Sequence, residues 1–263
     1  MKKNLILLCV LATLLFSCNK KKDSNGATVN NDDHATEKKL SKADSIINKA
    51  IEAHGGKLYT TANYSFIFRG KEYRFKNNGA SYEYSSEIQK GDSLIKDQLT
   101  PEKFERSINS KLQSLSKEDS AKYSEAINSV IYFATLPYKL QDASVNKKFI
   151  EEITIKGQKY DAIGVTFGQD GGGKDFDDEY HYWINTTTHK MDYLAYNYRV
   201  NEGGVRFRVA FNTRVVDGVT FQDYINYEAP LKTPLKDLPK LYEQRKLQEV
   251  SQILTENVVN NQK

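Results

Sequence analysis

"GVRFRVAFNTRVVDGVTFQDYINY", residues 204–227, decides the fold. Val205, Phe207, Val209 and Phe211 alternate with Arg206, Arg208 and Asn212. A period of two sends one row of side chains inward and the other outward, which is the signature of a strand with one buried face. Asp217-Gly218 then breaks the alternation. That dipeptide suits the tight turn whose two central residues both take positive φ, so the stretch folds back on itself as an antiparallel hairpin.

Two further hairpins precede it. "KFIEEITIKGQKYDAIGVTFG" (148–168) turns around Gly157-Gln158, and "EYHYWINTTTHKMDYLAYNYRV" (179–200) turns at Thr186–Thr188. Earlier, Tyr64, Phe66 and Phe68, then Tyr73 and Phe75, then Tyr82 and Tyr84 keep the same period. Helical spacing frames and interrupts the strands. In "KLSKADSIINKAIEAHGG" (39–56), Ala43, Ile46, Ile47, Ala50 and Ile51 form one stripe; Ser41 with Asp44 resembles a capping box, and Gly55-Gly56 supplies the stop. His54, one turn further along the stripe, reads as a packed imidazole at the helix end. Thr100-Pro101 followed by Phe104, Ile108, Leu112 and Leu115 predicts a second helix, and Tyr123 to Ala134 a third, paired with it. Pro239 to Asn257, with Leu241, Tyr242, Leu247, Val250 and Leu254, predicts a last one. The expectation is an α+β fold: an antiparallel, strongly curved half-barrel sheet with an N-terminal helix, a helical-hairpin insertion and a C-terminal helix.

The N-terminus carries an address. Lys2 and Lys3 precede an apolar run from Leu5 to Phe16, shorter than the roughly 20 residues a membrane-spanning helix needs. The run ends "LLFSCNKKKD" (14–23), and Leu15-Phe16-Ser17-Cys18 resembles the bacterial lipobox. That resemblance implies cleavage between Ser17 and Cys18 and acylation of the Cys18 sulfur. The organisation expected is a lipoprotein signal peptide over 1–17, a flexible polar tether over 18–39 and one half-barrel domain over 40–263. Of the two cysteines, Cys9 leaves with the signal and Cys18 carries lipid, so no disulfide supports the fold. Asn19 is not the aspartate that retains lipoproteins at the inner membrane in some Gram-negative bacteria, which points to the outer membrane, facing the periplasm. A formal net charge of +4, and export itself, argue against nucleic-acid partners.

The "AHGG" helix end leading into an aromatic strand, "IKGQKYDAIGVTF", "YWINTTTHKMDYL" and "TRVVDGVTFQDY" together resemble the LolA/LolB-type lipoprotein carriers. More narrowly they are similar to a family of uncharacterised envelope lipoproteins. The resemblance covers roughly residues 42–230 and implies an incomplete barrel whose concave face is covered by helices and holds acyl chains. It carries over no ligand-contacting residue by position.

Catalytic patterns fail one by one. "GQDGGGKD" (168–175) fits a phosphate loop up to Lys174, but Asp175 replaces the Ser or Thr that binds magnesium, and no helix follows. Asp170, Asp175, Asp177, Asp178 and Glu179 offer hard oxygen ligands without an EF-hand spacing, and read as a solvated loop before a calcium site. His34, His54, His181 and His189 lack ligand spacing. An aldolase with a Schiff-base lysine needs an eight-fold β/α alternation that is absent. Asp44-Ser45-Ile46, Asp92-Ser93-Leu94 and Asp119-Ser120-Ala121 resemble O-glycosylation sequons. No cofactor is implied, and nothing in the sequence speaks to oligomeric state.

What stands out is 17 Tyr, 12 Phe and one Trp, crowded on strands. Sheet packing accounts for many of them. The leading expectation is nonetheless an anchored binding protein for an acyl-chain ligand, lined by Phe66, Phe68, Trp183, Tyr193, Phe207 and Phe211. The alternative is an interaction lipoprotein with a filled core; an enzyme ranks third. Replacing the acylated sulfur tests the anchor. Cys18→Ser is expected to abolish palmitate labelling and move the protein out of the detergent phase on phase partitioning. Label retained on that variant would refute the anchor.

Overall fold

The computed structural model describes residues 40–168, 178–199 and 202–262. Helix α1 (Lys42–His54) leads through a 3-10 turn at Gly56–Thr61 into β1 (Asn63–Phe68), β2 (Lys71–Asn78), β3 (Ser81–Lys90), β4 (Ser93–Leu99), β5 (Phe104–Ile108) and β6 (Lys111–Leu112). Helix α2 (Lys117–Ala134) follows, then β7 (Val145–Ile155), β8 (Gln158–Phe167), β9 (Tyr180–Asn185), β10 (Met191–Tyr198), β11 (Gly204–Val216) and β12 (Val219–Ala229). Helix α3 (Leu238–Glu243), β13 (Gln248–Ile253) and β14 (Glu256–Asn260) close the chain.

The strands make two antiparallel seven-stranded sheets, in the orders β14-β1-β2-β3-β4-β5-β6 and β13-β12-β11-β10-β9-β8-β7. Neither closes into a barrel, so the open α+β half-barrel is as expected, but built from two sheets rather than one curved one. The chain changes sheets twice, through α2 and between β13 and β14. The cap signal at the start of α1 and the turn of the central hairpin are realised. Ser41 Oγ accepts from the Asp44 N–H at 3.0 Å and Ser116 Oγ from that of Asp119 at 3.0 Å, while both carboxylates accept from the capping hydroxyl. The aspartates of two of the three Asp-Ser pairs thus serve in helix caps. At the central hairpin Asp217 and Gly218 take φ of 46° and 88°, a region that aspartate tolerates and that glycine, lacking a Cβ, enters freely.

Two expected helices are corrected. Residues 104–112 form strands: Phe104, Arg106 and Ile108 share a face, and Arg106 forks onto buried Asp97 at 2.6 and 2.8 Å. An inward arginine, neutralised by its partner, hid the two-residue period. Thr100 does accept from the Glu102 and Lys103 N–H groups, at 3.3 Å each. Its own N–H bonds back to the Lys103 carbonyl at 2.9 Å, which closes a hairpin instead of starting a helix. The insertion is thus one helix, not a pair. The C-terminal helix stops at Glu243, and Arg245 has a φ of 57°. Beyond it the β-branched Val250, Ile253, Val258 and Val259 serve as edge strands of both sheets, where each gains a ladder of backbone hydrogen bonds. No helix among the described residues is long and apolar enough to cross a membrane.

The second sheet is covered on both sides. Its front row, including Tyr182, Ile184, Leu194 and Tyr224, packs on Ala43, Ile47, Ala50 and Ile51 of α1. Its rear row, Trp183, Tyr193, Ala195, Val205 and Phe207, packs on Leu235, Leu238 and the α3 side chains Leu241 and Tyr242. The first sheet buries Tyr64, Phe66, Tyr73, Phe75, Tyr84 and Leu99 against Ile127 and Ile131 of α2. Phe207 is wholly buried, stacked on Tyr193 at 5.7 Å and edge-on to Trp183 at 5.6 Å. Phe207→Ala is expected to cost about 3–5 kcal/mol in chemical denaturation, the range for emptying a packed aromatic site. A loss under about 1 kcal/mol would show that the rear face is loosely packed.

His54 is wholly buried at the end of α1, where its Nε2 accepts the Met191 N–H at 3.3 Å. Burial, with a smaller push from the Lys190 charge, lowers its pKa to about 3. The unfolded chain takes up this proton near pH 6.5 and the folded chain does not, so the unfolded state gains as pH falls between those values. Stability is expected to drop by up to about 1.4 kcal/mol per pH unit on acidification below 6.5. In His54→Gln, denaturation midpoints measured between pH 7 and 5 should fall less steeply.

Candidate functional site

Where the two sheets and α2 approach one another, the side chains leave a cleft of about 400 Å³. One wall is the end of β1, Phe66 and Phe68, with Arg69 beyond it. Ser129, Val130, Phe133 and Ala134 of α2 form the roof. The floor is the front row of the second sheet: Tyr180, Tyr196, Arg208, Tyr224 and Asn226. Tyr198, Gln222, Ile253, Thr255 and Asp178 complete the lining.

The lining is ordered by ring contacts. Tyr180 stacks on Tyr196 at 5.6 Å, and Phe133 packs on Tyr196 at 5.6 Å. Behind them the Tyr132 and Tyr182 hydroxyls meet at 3.2 Å. Burial raises the pKa values of Tyr182 and Tyr224, with the nearby Arg208 charge only partly opposing it, so both phenols stay protonated.

Arg208 is the chemical centre of the floor. It is only 9% exposed, although it belongs to the row of β11 that alternation assigns to solvent. Its Nη2 donates to the Tyr196 hydroxyl at 2.8 Å, and its guanidinium lies 4.2 Å from the Phe133 ring centre and 5.1 Å from that of Tyr196. Aromatic faces suit a cation, but they do not replace hydrogen-bond partners. Its Nε finds none among the described residues, where it also has no ion pair. Directly opposite on β12, Asn226 donates through Nδ2 to the Ser251 hydroxyl at 3.3 Å and leaves a buried Oδ1 unused.

The structure divides the residues expected to line a ligand. Phe66 and Phe68 do line the cleft. Trp183, Tyr193 and Phe207 belong to the rear face under α3, and Phe211, half-buried, lies on the same row of β11. Strand periodicity assigns faces to residues but cannot say which face borders an opening. Trp183 therefore reports the rear packing and not the cleft. Arg208 was missed because arginine on an alternate row reads as a solvated side chain. The one signal available was the aromatic crowding of 180–198 on both rows, which requires cover on both faces.

Other sequence candidates fall apart in space or outside the described residues. Ser17, Cys18, His34 and the stretch 169–177, which holds most of the glycine-rich and acidic loop, are among the residues not described. His181, on the rear row, pairs with Glu179 at 3.0 Å; burial lowers its pKa while Glu179 works against this. No grouping of three His, Cys, Asp or Glu side chains fit to hold a metal occurs among the described residues.

These features define a class: an open antiparallel half-barrel with a solvent-accessible cleft between its sheets. By sequence the chain belongs to DUF6503, a family of unknown function whose profile matches residues 2–255. A search of curated proteins found no match. Among solved structures it is similar to a LolA superfamily protein from Nitrosomonas europaea, with a TM-score of 0.44 and 11% identity over 73% of this chain and 88% of that one. A domain from Vibrio parahaemolyticus, with a proposed role in outer membrane lipoprotein sorting, gives 0.45 and 7% over 83% and 92%. A DUF1329 family protein from Desulfovibrio piger gives 0.43 and 10% over 85% and 95%.

Proposed function

We propose that this is a lipid-anchored protein of the cell envelope, held at the outer membrane and facing the periplasm, that binds an acyl chain in the cleft between its sheets. The observation that carries the reading is the contrast between the two faces of one sheet. The rear is filled by α3 and its neighbours, whereas the front opens into a cavity of about 400 Å³ walled by Phe66, Phe68, Val130, Phe133 and Ala134. That volume lies within the roughly 300–1,000 Å³ typical of small-molecule sites. An apolar opening left beside water costs free energy unless something apolar fills it. Burying ten methylenes contributes at most about 8 kcal/mol before ordering costs, so affinities near micromolar are expected.

Two measurements test this. Protein purified from its own membrane should carry lipid detectable by native mass spectrometry. Ala134→Trp, which places an indole in the cleft from the last turn of α2, should lose that lipid and bind a fluorescent fatty acid at least tenfold more weakly, with its far-UV spectrum unchanged. A lipid-free native protein that also fails to bind the fatty acid saturably would favour the interaction-module alternative.

A further inference from the structure

We propose that the cleft selects an anionic amphiphile: Arg208 and Asn226 bind a polar head in which a carboxylate or phosphate oxygen sits next to a hydroxyl or amide donor. The inference rests on reading the cleft as an acyl-chain site, and adds which head the chain carries and where that head lies.

Three observations converge on the floor of the cleft. First, burying an arginine to 9% exposure is costly unless its charge and donors are met. Arg208 has one hydrogen bond to a neutral phenol, two aromatic faces and an unused Nε. An anionic oxygen arriving through the cleft supplies what is missing, and guanidinium geometry favours planar carboxylate or tetrahedral phosphate partners. Second, Asn226 stands directly across the β11–β12 pair and is also 9% exposed. Its Oδ1 has no donor, so two directly paired residues of neighbouring strands hold one open N–H and one open acceptor that do not bond each other. A head with an acceptor and a donor on neighbouring atoms meets both. Third, the cleft is chemically graded. Phe66, Phe68, Val130 and Ala134 offer carbon to a chain, while Arg208 and Asn226 lie together on the opposite floor.

The charge balance agrees. Among the described residues of the lining, Arg69 is a second cation and Asp178 the one carboxylate, so these residues carry a net positive charge. Water could occupy the open donor and acceptor, but it would leave that charge unmatched.

The experiment is competition against a fluorescent monoacyl probe on full-length protein held in a non-ionic amphipol. Three competitors separate the contributions: palmitoyl lysophosphatidylglycerol, neutral monopalmitoylglycerol with the same chain, and glycerol phosphate as the head alone. The anionic lipid should displace the probe at a concentration at least tenfold lower than the neutral one. Glycerol phosphate should not compete at that concentration. Arg208→Gln should abolish the tenfold preference, so that the two lipids displace the probe at similar concentrations, and Asn226→Asp should weaken the anionic lipid more than the neutral one. If Arg208→Gln does not fold, Arg208→Lys, which keeps the charge but loses the Nε donor, should still reduce the preference. Equal displacement by both lipids in the native protein, or a preference that survives in Arg208→Gln, would overturn the headgroup assignment and leave the acyl-chain reading standing. Failure of both lipids to displace the probe would overturn the two together. Competition by glycerol phosphate at the lipid's own concentration would keep the anion contact and overturn the lipid as its source.

Discussion

One buried carboxylate fixes the point where the chain crosses from one sheet to the other. Asp223, in β12, is 3% exposed, and its Oδ1 accepts from the Thr255 N–H and hydroxyl, both at 2.9 Å, and from Arg214 Nη1 at 3.2 Å. Its Oδ2 accepts from Asn212 Nδ2 at 2.6 Å. Arg214 also binds the Thr255 hydroxyl, at 2.8 Å, and the Thr255 carbonyl. Thr255 is the point where the chain leaves β13 of one sheet to become β14 of the other. A buried charge is tolerated only when its oxygens are met by well-placed donors. Here the donors come from β11, its bulge and the crossover, so satisfying the charge fixes the crossover in place. Asn212 takes a φ of 47° where the β11–β12 register shifts, and that bulge turns Arg214 toward Asp223. Because Thr255 also lines the cleft, the same node sets one edge of the opening.

The cleft then follows from how cover is distributed. Helix α1 lies over part of the front row of the second sheet, and α2 packs mainly on the first sheet through Ile127 and Ile131. Between them the floor residues Tyr196, Arg208 and Asn226 receive only partial cover. Tyrosine suits such a boundary, since its ring packs while its hydroxyl bonds to a polar neighbour. Arg208 persists there because Phe133 and Tyr196 shield its charge and Tyr196 takes one donor. A strand row that looks solvated in sequence is thus an interior polar layer.

Much of the local structure was legible in the residues. The α1 stripe with its Ser41 cap, the Asp217-Gly218 turn and the hairpins of 148–227 depend on interactions within a few positions, so the sequence around each suffices. Two readings failed for a shared reason. Phe104, Ile108 and Leu112 fit a helical period as well as a strand one, and what decides between them is the pairing with β4, where Asp97 across the ladder makes an inward Arg106 acceptable. The segment after Glu243 carries a helical pattern of apolar residues, yet two sheet edges in need of partners claim it as strands.

The candidate site divides the same way. Alternation along the chain determined that Phe66, Trp183, Tyr193 and Phe207 would be buried, since burial of a strand row follows from its period alone. It could not determine that Phe66 faces an opening while the other three face α3. Nor could it reveal that Arg208 lies inside. Those outcomes belong to the tertiary structure, because a cavity is a property of the gap between elements. Its polar floor exists only where two sheets and a helix stop short of filling the space between them.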